Sequence, residues 1–223
     1  MKDISATVIV DLIGKNEEEL FKNLEYTRRK NVKKAIKSGL YVEDAGSEKD
    51  YKNCYKMYAR IIQEGGSTPF PYSIWRNWST SENWKLFAIK KGEKSIGYFS
   101  VIPITRKYYG LDSEEKGVRP RVFASDKKYQ QYRTNDFIYW NTILYGLKER
   151  VNFVDLGGYQ IKPRGHLKEV NQFKERWGGK VFYYYRDYPI LTAVGRKLVR
   201  NVGLFWQINE MLKKRKPKIP ECF

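Results

Sequence analysis

Between residues 153 and 179 the chain reads FVDLGGYQIKPRGHLKEVNQFKERWGG, and two of its groups are placed to handle charge and a proton: the Asp155 carboxylate and the Lys174 ammonium. Asp155 closes a short apolar strand, residues 153–156, just before Gly157 and Gly158. A backbone without side chains there admits a positive φ or the close approach of a substrate. Lys174 lies on a helix expected to begin near Gly165, to carry Phe173, Lys174 and Trp177, and to stop at the pair Gly178 and Gly179. The acid and the amine therefore sit on elements flanking one strand end, with no histidine pair, serine triad or metal-ligand cluster to compete for the chemistry. Each also has a plainer reading. Asp before Gly-Gly commonly forms a turn, and Lys174 beside Glu169, Glu175 and Arg176 reads equally as a surface lysine.

The run DLGG, a variable loop, then FK, two residues and WGG resembles the signature of the Fem family of peptidoglycan aminoacyltransferases. Two more stretches are similar to that family in the same order: VIVDLIGKNEEELFKNLEYTRRKNVKKAIKSGLYVE upstream, and ASDKKYQQYRTNDFIYWNTILYGLKER before the DLGG strand. The resemblance implies an α/β fold of the GNAT (acyl-CoA N-acyltransferase) type, a mixed and mostly antiparallel sheet flanked by helices. It implies transfer of an amino acid from aminoacyl-tRNA to an amine of a cell-wall precursor, with no further cofactor. Lys174 would match the lysine of the FK motif, steadying the oxyanion or the phosphate-ribose end of the donor. Asp155 would orient the amine or accept its proton, and Gly157, Gly158, Tyr159 and Phe173 would line the substrate. Bridge-building members of the family carry two such halves. This chain has room for one, residues 1–187, so the acceptor need not be a muropeptide, and pairing of two chains stands as a way to supply the other half.

Charge points to the same kind of partner. The chain has 43 Lys and Arg against 25 Asp and Glu, a net charge of +18, which favours tRNA, diphosphate groups or an anionic membrane surface, or else marks a solvated lysine-rich exterior. Cys54 and Cys222 are far apart and support neither a disulfide framework nor a zinc site, which fits a reducing cytoplasm. The start MKDISATVIVDLIG lacks the pattern of a signal peptide, and no apolar run reaches the roughly 20 residues of a membrane span. Contact with the inner membrane face is therefore expected only from the surface.

Along the chain, residues 6–12 read as a strand. Asn16 with Glu19 makes a capping box for one helix running to Lys37, with Leu20, Leu24, Val32 and Ile36 inward and Gly39 as its left-handed stop. Arg29, Lys33 and Lys37 recur every four residues on it, a face for a polyanion or for water. Ser47 with Asp50 opens a second helix whose Tyr51, Cys54, Tyr55 and Tyr58 form an aromatic core stripe. Residues 84–90 and 95–109 flank a KKGEK turn as two strands, residues 111–120 form a loop, and residues 121–124 return as a strand. The segment 125–135 then leads into a helix over 136–150. Helix starts attract phosphates, and Lys127, Lys128, Arg133 and Asn135 are the candidates to meet a donor there. DKKYQQYRTND has no glycine, which disfavours the alternative donor, acyl-CoA. Thr134, Asn135 or Asp136 serve equally as simple N-caps. His166, the only histidine, matches no motif and reads as incidental. Residues 180–185 form a closing strand. Residues 190–212 then follow as an amphipathic helix, and residues 213–218 (KKRKPK) as a basic end, docked on the domain or on an anionic leaflet.

Overall fold

The structure, a computed structural model, describes residues 2–187; the amphipathic helix and basic end expected over 190–218 lie outside the described residues. In chain order the elements are β1 (Lys2–Asp11), α1 (Glu17–Asn23), α2 (Tyr26–Lys37), β2 (Leu40–Ala45), α3 (Glu48–Glu64), α4 (Tyr72–Ser81), β3 (Lys85–Lys91), β4 (Lys94–Thr105), β5 (Lys116–Ser125), α5 (Thr134–Lys148), β6 (Phe153–Tyr159), α6 (His166–Glu175) and β7 (Lys180–Asp187). Short 3-10 turns at Arg106–Tyr109 and Lys127–Tyr132 precede β5 and α5.

One sheet of seven strands, in the order β2-β3-β4-β5-β6-β1-β7, runs through the molecule. Every neighbouring pair is antiparallel except β5 and β6. Period-two alternation builds a core on each face. On β3, Leu86 and Ala88 meet the aromatic stripe of α3 and α4, while Phe87 and Ile89 join the cluster with Ala35 of α2 and Ile138 of α5. The stripe is core, as its helical spacing predicts, with Tyr51, Cys54 and Tyr55 buried around Trp75.

The parallel pair β5–β6 is brief. Only Gly117 with Phe153 and Val118 with Val154 are in register. Beyond them β5 stays paired with β4 as far as Ser125, and β6 stays with β1 as far as Tyr159, so a wedge opens between the two. Both strands carry an irregularity just past the last shared pair. Arg121 is extra between the partners of Ser100 and Val101, and Leu156 with Gly157 are taken up between the partners of Thr7 and Ile9. A bulge bends its strand and sharpens the local twist, which turns each strand toward its outer neighbour.

The single helix expected over 16–37 is two. Asn16 caps α1 with the predicted capping box, but Leu24 is extended, the Glu25 N–H donates to the Arg176 carbonyl at 3.0 Å, and the chain restarts as α2. The WGG motif packs against this break: a Cβ on Gly178 would fall 3.0 Å from the Asn23 carbonyl oxygen, and one on Gly179 2.7 Å from Val8. The offset turns Ile36, expected inside, out to 53% exposure, and buries Arg28 and Asn31 instead. Capping at Ser47–Asp50 and the left-handed Gly39 agree with expectation. Strand β5 starts at Lys116 rather than 121, because Pro120, a residue that usually argues against a strand, sits beside the bulge.

At the closed end of the wedge Gly117 lies hard against β6, since a Cβ on it would meet the Phe153 ring at 2.4 Å. Gly117→Val is therefore expected to lose about 1–3 kcal/mol of stability by overpacking. Gly46→Ala, whose Cβ would meet nothing within 4 Å, should stay near the parent. Urea denaturation of the two variants checks this.

Candidate functional site

At the bulge of β6 the Asp155 carboxylate is fully buried. It accepts a hydrogen bond from the Gly157 N–H at 2.7 Å, an Asx-type turn that holds Gly157 at φ +88°, from the Tyr109 hydroxyl at 2.8 Å, and from the Thr7 hydroxyl. The Arg119 guanidinium lies 3.5 Å from it. Burial, then the neighbouring carboxylate, pushes the Tyr109 phenol well above its ordinary pKa, so it stays a donor. Three hydrogen bonds and one ion pair thus surround the carboxylate expected to meet an incoming amine. Asp155 holds the bulge and supplies a fixed negative charge.

Lys174 projects from α6 to this spot. Its ammonium donates to the Gly158 carbonyl at 2.7 Å and would lie 3.4 Å from a Cβ on Gly157. A side chain at 157 would thus compete with the amine for its seat. Lys174 is 9% exposed, and its other two N–H groups have no protein partner among the described residues. Burial, only partly offset by Asp155 and reinforced by Arg119, lowers its pKa to about 8. The wedge therefore holds a lysine that changes charge near the pH of the cell.

Around this centre the other candidates scatter. Gly158 is exposed beside the wedge, and Tyr159 donates to Glu175 at 2.6 Å, an acceptor that raises its phenol to about 12. Phe173 is packed between Arg28, Tyr139 and Trp177, so it seats α6. Lys127, Lys128, Arg133 and Asn135 are exposed on the segment that continues from the open end of β5, with Lys127 paired to Glu64 at 2.7 Å. Arg29, expected to face a polyanion, instead donates to the carbonyls of Lys22 (2.8 Å) and Leu24, closing the end of α1. Lys33 rests 5.7 Å from the Phe21 ring centroid, and Lys37 is exposed. His166 is exposed at the start of α6.

The first turn of α5 carries a buried ion pair and no side-chain cap. Asp136 is buried there and accepts from Arg28 at 2.7 Å and Asn31 at 3.2 Å, while burial holds its carboxyl above the usual range despite Arg28. Sequence reasoning missed Arg28, Arg119, Thr7 and Tyr109. The one local signal was the pair of arginines around Pro120 in GVRPR, charges in a stretch otherwise fit for a strand. Among the described residues no group of His, Cys, Asp and Glu converges as metal ligands, and no helix is long and apolar enough to cross a membrane.

No protein-family model matches the chain, and no curated protein matches it. Solved structures do. FemX superposes with a TM-score of 0.66 over 81% of this chain and 61% of its own, at 13% identity. L-PGS from Bacillus licheniformis gives 0.57 over 88% of this chain and 66% of its own, at 12% identity. A GCN5-related glucosamine N-acetyltransferase region of a fungal multi-domain GH3 β-N-acetylglucosaminidase gives 0.51 over 82% of this chain and 20% of its own, at 12% identity. The fold is GNAT-like. At these identities the likeness concerns architecture, and this chain spans less than two thirds of the FemX and L-PGS chains.

The lysine's own titration is measurable. Its folded pKa lies below the unfolded value of 10.5. Above about pH 8 the unfolded chain therefore binds the extra proton, and stability contributed by this group rises with pH. Wild type is expected to gain on Lys174→Met between pH 8 and 9.5, by no more than about 1.4 kcal/mol per pH unit. Parallel urea curves at pH 7, 8 and 9 give the difference.

Proposed function

We propose that the chain is an acyltransferase that moves an aminoacyl group from aminoacyl-tRNA to an amine of a cell-wall precursor. The observation that carries the reading is the buried Lys174 ammonium, held at the parting of β5 and β6 with two N–H groups to spare. The acceptor nitrogen attacks the ester carbon, forming the C–N bond and a tetrahedral oxyanion. Collapse breaks the C–O bond, and the proton shed by the nitrogen leaves on the ribose oxygen. Lys174 supplies the cation that the oxyanion needs in a site sheltered from water, where such a group contributes a few kcal/mol. Asp155, saturated by its donors, fixes the bulge on which that cation rests.

Fold likeness to FemX and L-PGS supports this reading. The first turn of α5 weighs against acyl-CoA as donor. A pyrophosphate seated there needs free N–H groups and no negative charge, and Asp136 places a buried carboxylate in that turn. The exposed Lys127, Lys128 and Arg133 remain for the tRNA backbone, and a net charge of +18 suits both tRNA and an anionic membrane face in the cytoplasm.

Lys174→Ala is expected to lower the transfer rate at least tenfold, about 1.4 kcal/mol, with folding intact. The wild-type rate should fall as pH rises through about 8, where the ammonium is lost. A rate within about threefold of the parent at pH 7, or a profile that climbs through pH 8 to 9, would show that the ammonium is not the electrostatic catalyst. Charged tRNA binding without any transfer would leave a basic RNA-binding module in its place.

A further inference from the structure

The helices that cover one face of the sheet stop short at its β7 edge. Alternate side chains of β1 run from Val10 and Val8, buried in the core with Trp177, through buried Ala6 to Ile4, which is 56% exposed. On β7, Val181 still packs against that core, yet Tyr183 and Tyr185 are 58% and 66% exposed. Ile4 pairs with Tyr185 and Ala6 with Tyr183, so the period of two sets all four on one face. The result is an apolar patch on the outermost strand pair, a kind of surface that proteins either cover with a further element or use to dock a partner. Ile4 and Ala6 also border a cavity of about 650 Å³, together with Gly158, whose carbonyl receives the Lys174 ammonium.

The stretch of chain that comes next is placed to cover this patch. Strand β7 ends at Asp187, paired with Lys2, and Pro189 has no N–H to carry the ladder on, so the chain leaves it beside Ile4 and Tyr185. From there Leu191, Val194, Leu198, Val202, Phe205, Ile208 and Leu212 recur at three- and four-residue steps, the spacing of one helix face. We infer that residues 190–212, which lie outside the described residues, fold back as a helix across β1 and β7. The stripe would seat on Ile4, Tyr183 and Tyr185 and wall the cavity beside Gly158. Such a helix would be roughly 35 Å long, enough to cross both strands. The tether decides between occupants. A segment joined a few residues from its seat is present there at an effective concentration on the order of millimolar, which a second copy of the chain or a lipid surface has to exceed. Arg196, Lys197 and Arg200, on the other side of the helix, stay in water.

Hydrogen exchange of the whole chain, read by mass spectrometry at two protein concentrations, tests the docking without any turnover. Amides within 190–212 are expected to exchange at least about tenfold more slowly than in an unstructured chain, equally at both concentrations. Tyr183→Ser combined with Tyr185→Ser should bring them to within about threefold of the unstructured rate. Ile13→Ser, an equally exposed apolar residue beyond the other end of β1, should leave them protected. Protection of α5 in the same spectra shows whether each variant is folded. Should the double variant unfold, p-azidophenylalanine in place of Tyr185 keeps a ring there, and on illumination it should crosslink within the chain to 190–212. Unstructured exchange rates in the parent, or protection indifferent to the two tyrosines, would overturn the inference. So would protection that grows with concentration together with crosslinks between chains, which would make the occupant a second copy. Protection that appears only with vesicles of phosphatidylglycerol would likewise overturn it in favour of a membrane surface. Because exchange reads the docking alone, its failure leaves the proposed transfer standing, and loss of the transfer leaves the docking.

Discussion

Everything at the wedge follows from burying one carboxylate. An ionised Asp with no contact to water is costly by several kcal/mol unless donors replace the lost hydration. Asp155 draws three of them, from its own strand through the Gly157 N–H, from β1 through Thr7 and from the turn after β4 through Tyr109, and β5 adds the Arg119 guanidinium as an ion pair at 3.5 Å. Satisfying the charge therefore fixes how four segments meet. The contact to the Gly157 N–H also obliges the backbone to turn with φ at +88°, which glycine adopts without strain. The bulge, the missing side chain and the seat for the Lys174 amine are consequences of that one requirement.

The same carboxylate sets the electrostatics. Two cations share it, so neither is fully neutralised. Lys174 gives up part of its affinity for a proton, while Arg119, which cannot lose its proton at any ordinary pH, keeps its charge. A deeply buried ion pair of equal numbers would be inert. An excess of one positive charge, with free N–H groups on both cations, is a field waiting for an anion. In the proposed transfer the tetrahedral intermediate would supply one briefly at the carbonyl oxygen. The Arg28–Asp136 pair shows the contrast. Both partners are buried and matched one to one, with Asn31 adding a donor, and the pair serves to lock α2 against the start of α5.

Much of this was legible locally. Asn16 with Glu19, Ser47 with Asp50, and Gly39 announce helix ends through contacts within a few residues, and each formed as expected. The DLGG run lies inside β6, which continues as a bulged strand to Tyr159 instead of ending at Leu156 as its glycines suggested, and FK placed a lysine near it. What stayed hidden was long-range. Thr7 is 148 positions from Asp155 and Tyr109 is 46, so no periodicity links them. Arg119 was concealed by Pro120, which made a central strand read as a loop. The break between α1 and α2 was invisible for a related reason: the contacts made there, from Arg176 to Glu25 and from Gly178 to Asn23, come from residues about 150 positions away. Apolar spacing continued through residues 20–36 as if nothing interrupted it, and Ile36 was misplaced as a result.

The wedge itself is built to stay open. Its closed end is as tight as packing permits, with Gly117 against the Phe153 ring and the Arg106 guanidinium 4.3 Å from that ring's centroid on the other side. Past this point each strand bends at a bulge toward an outer neighbour with which it shares many more pairs than the two it shares across the gap. Closing the wedge would mean pairing β5 with β6 at the expense of the longer ladders to β4 and β1, and it would push the Lys174 amine into a space with no water to solvate it. A site formed before the ligand arrives gives up little ordering entropy on binding, and in the proposed transfer its cations would already be in place for the oxyanion.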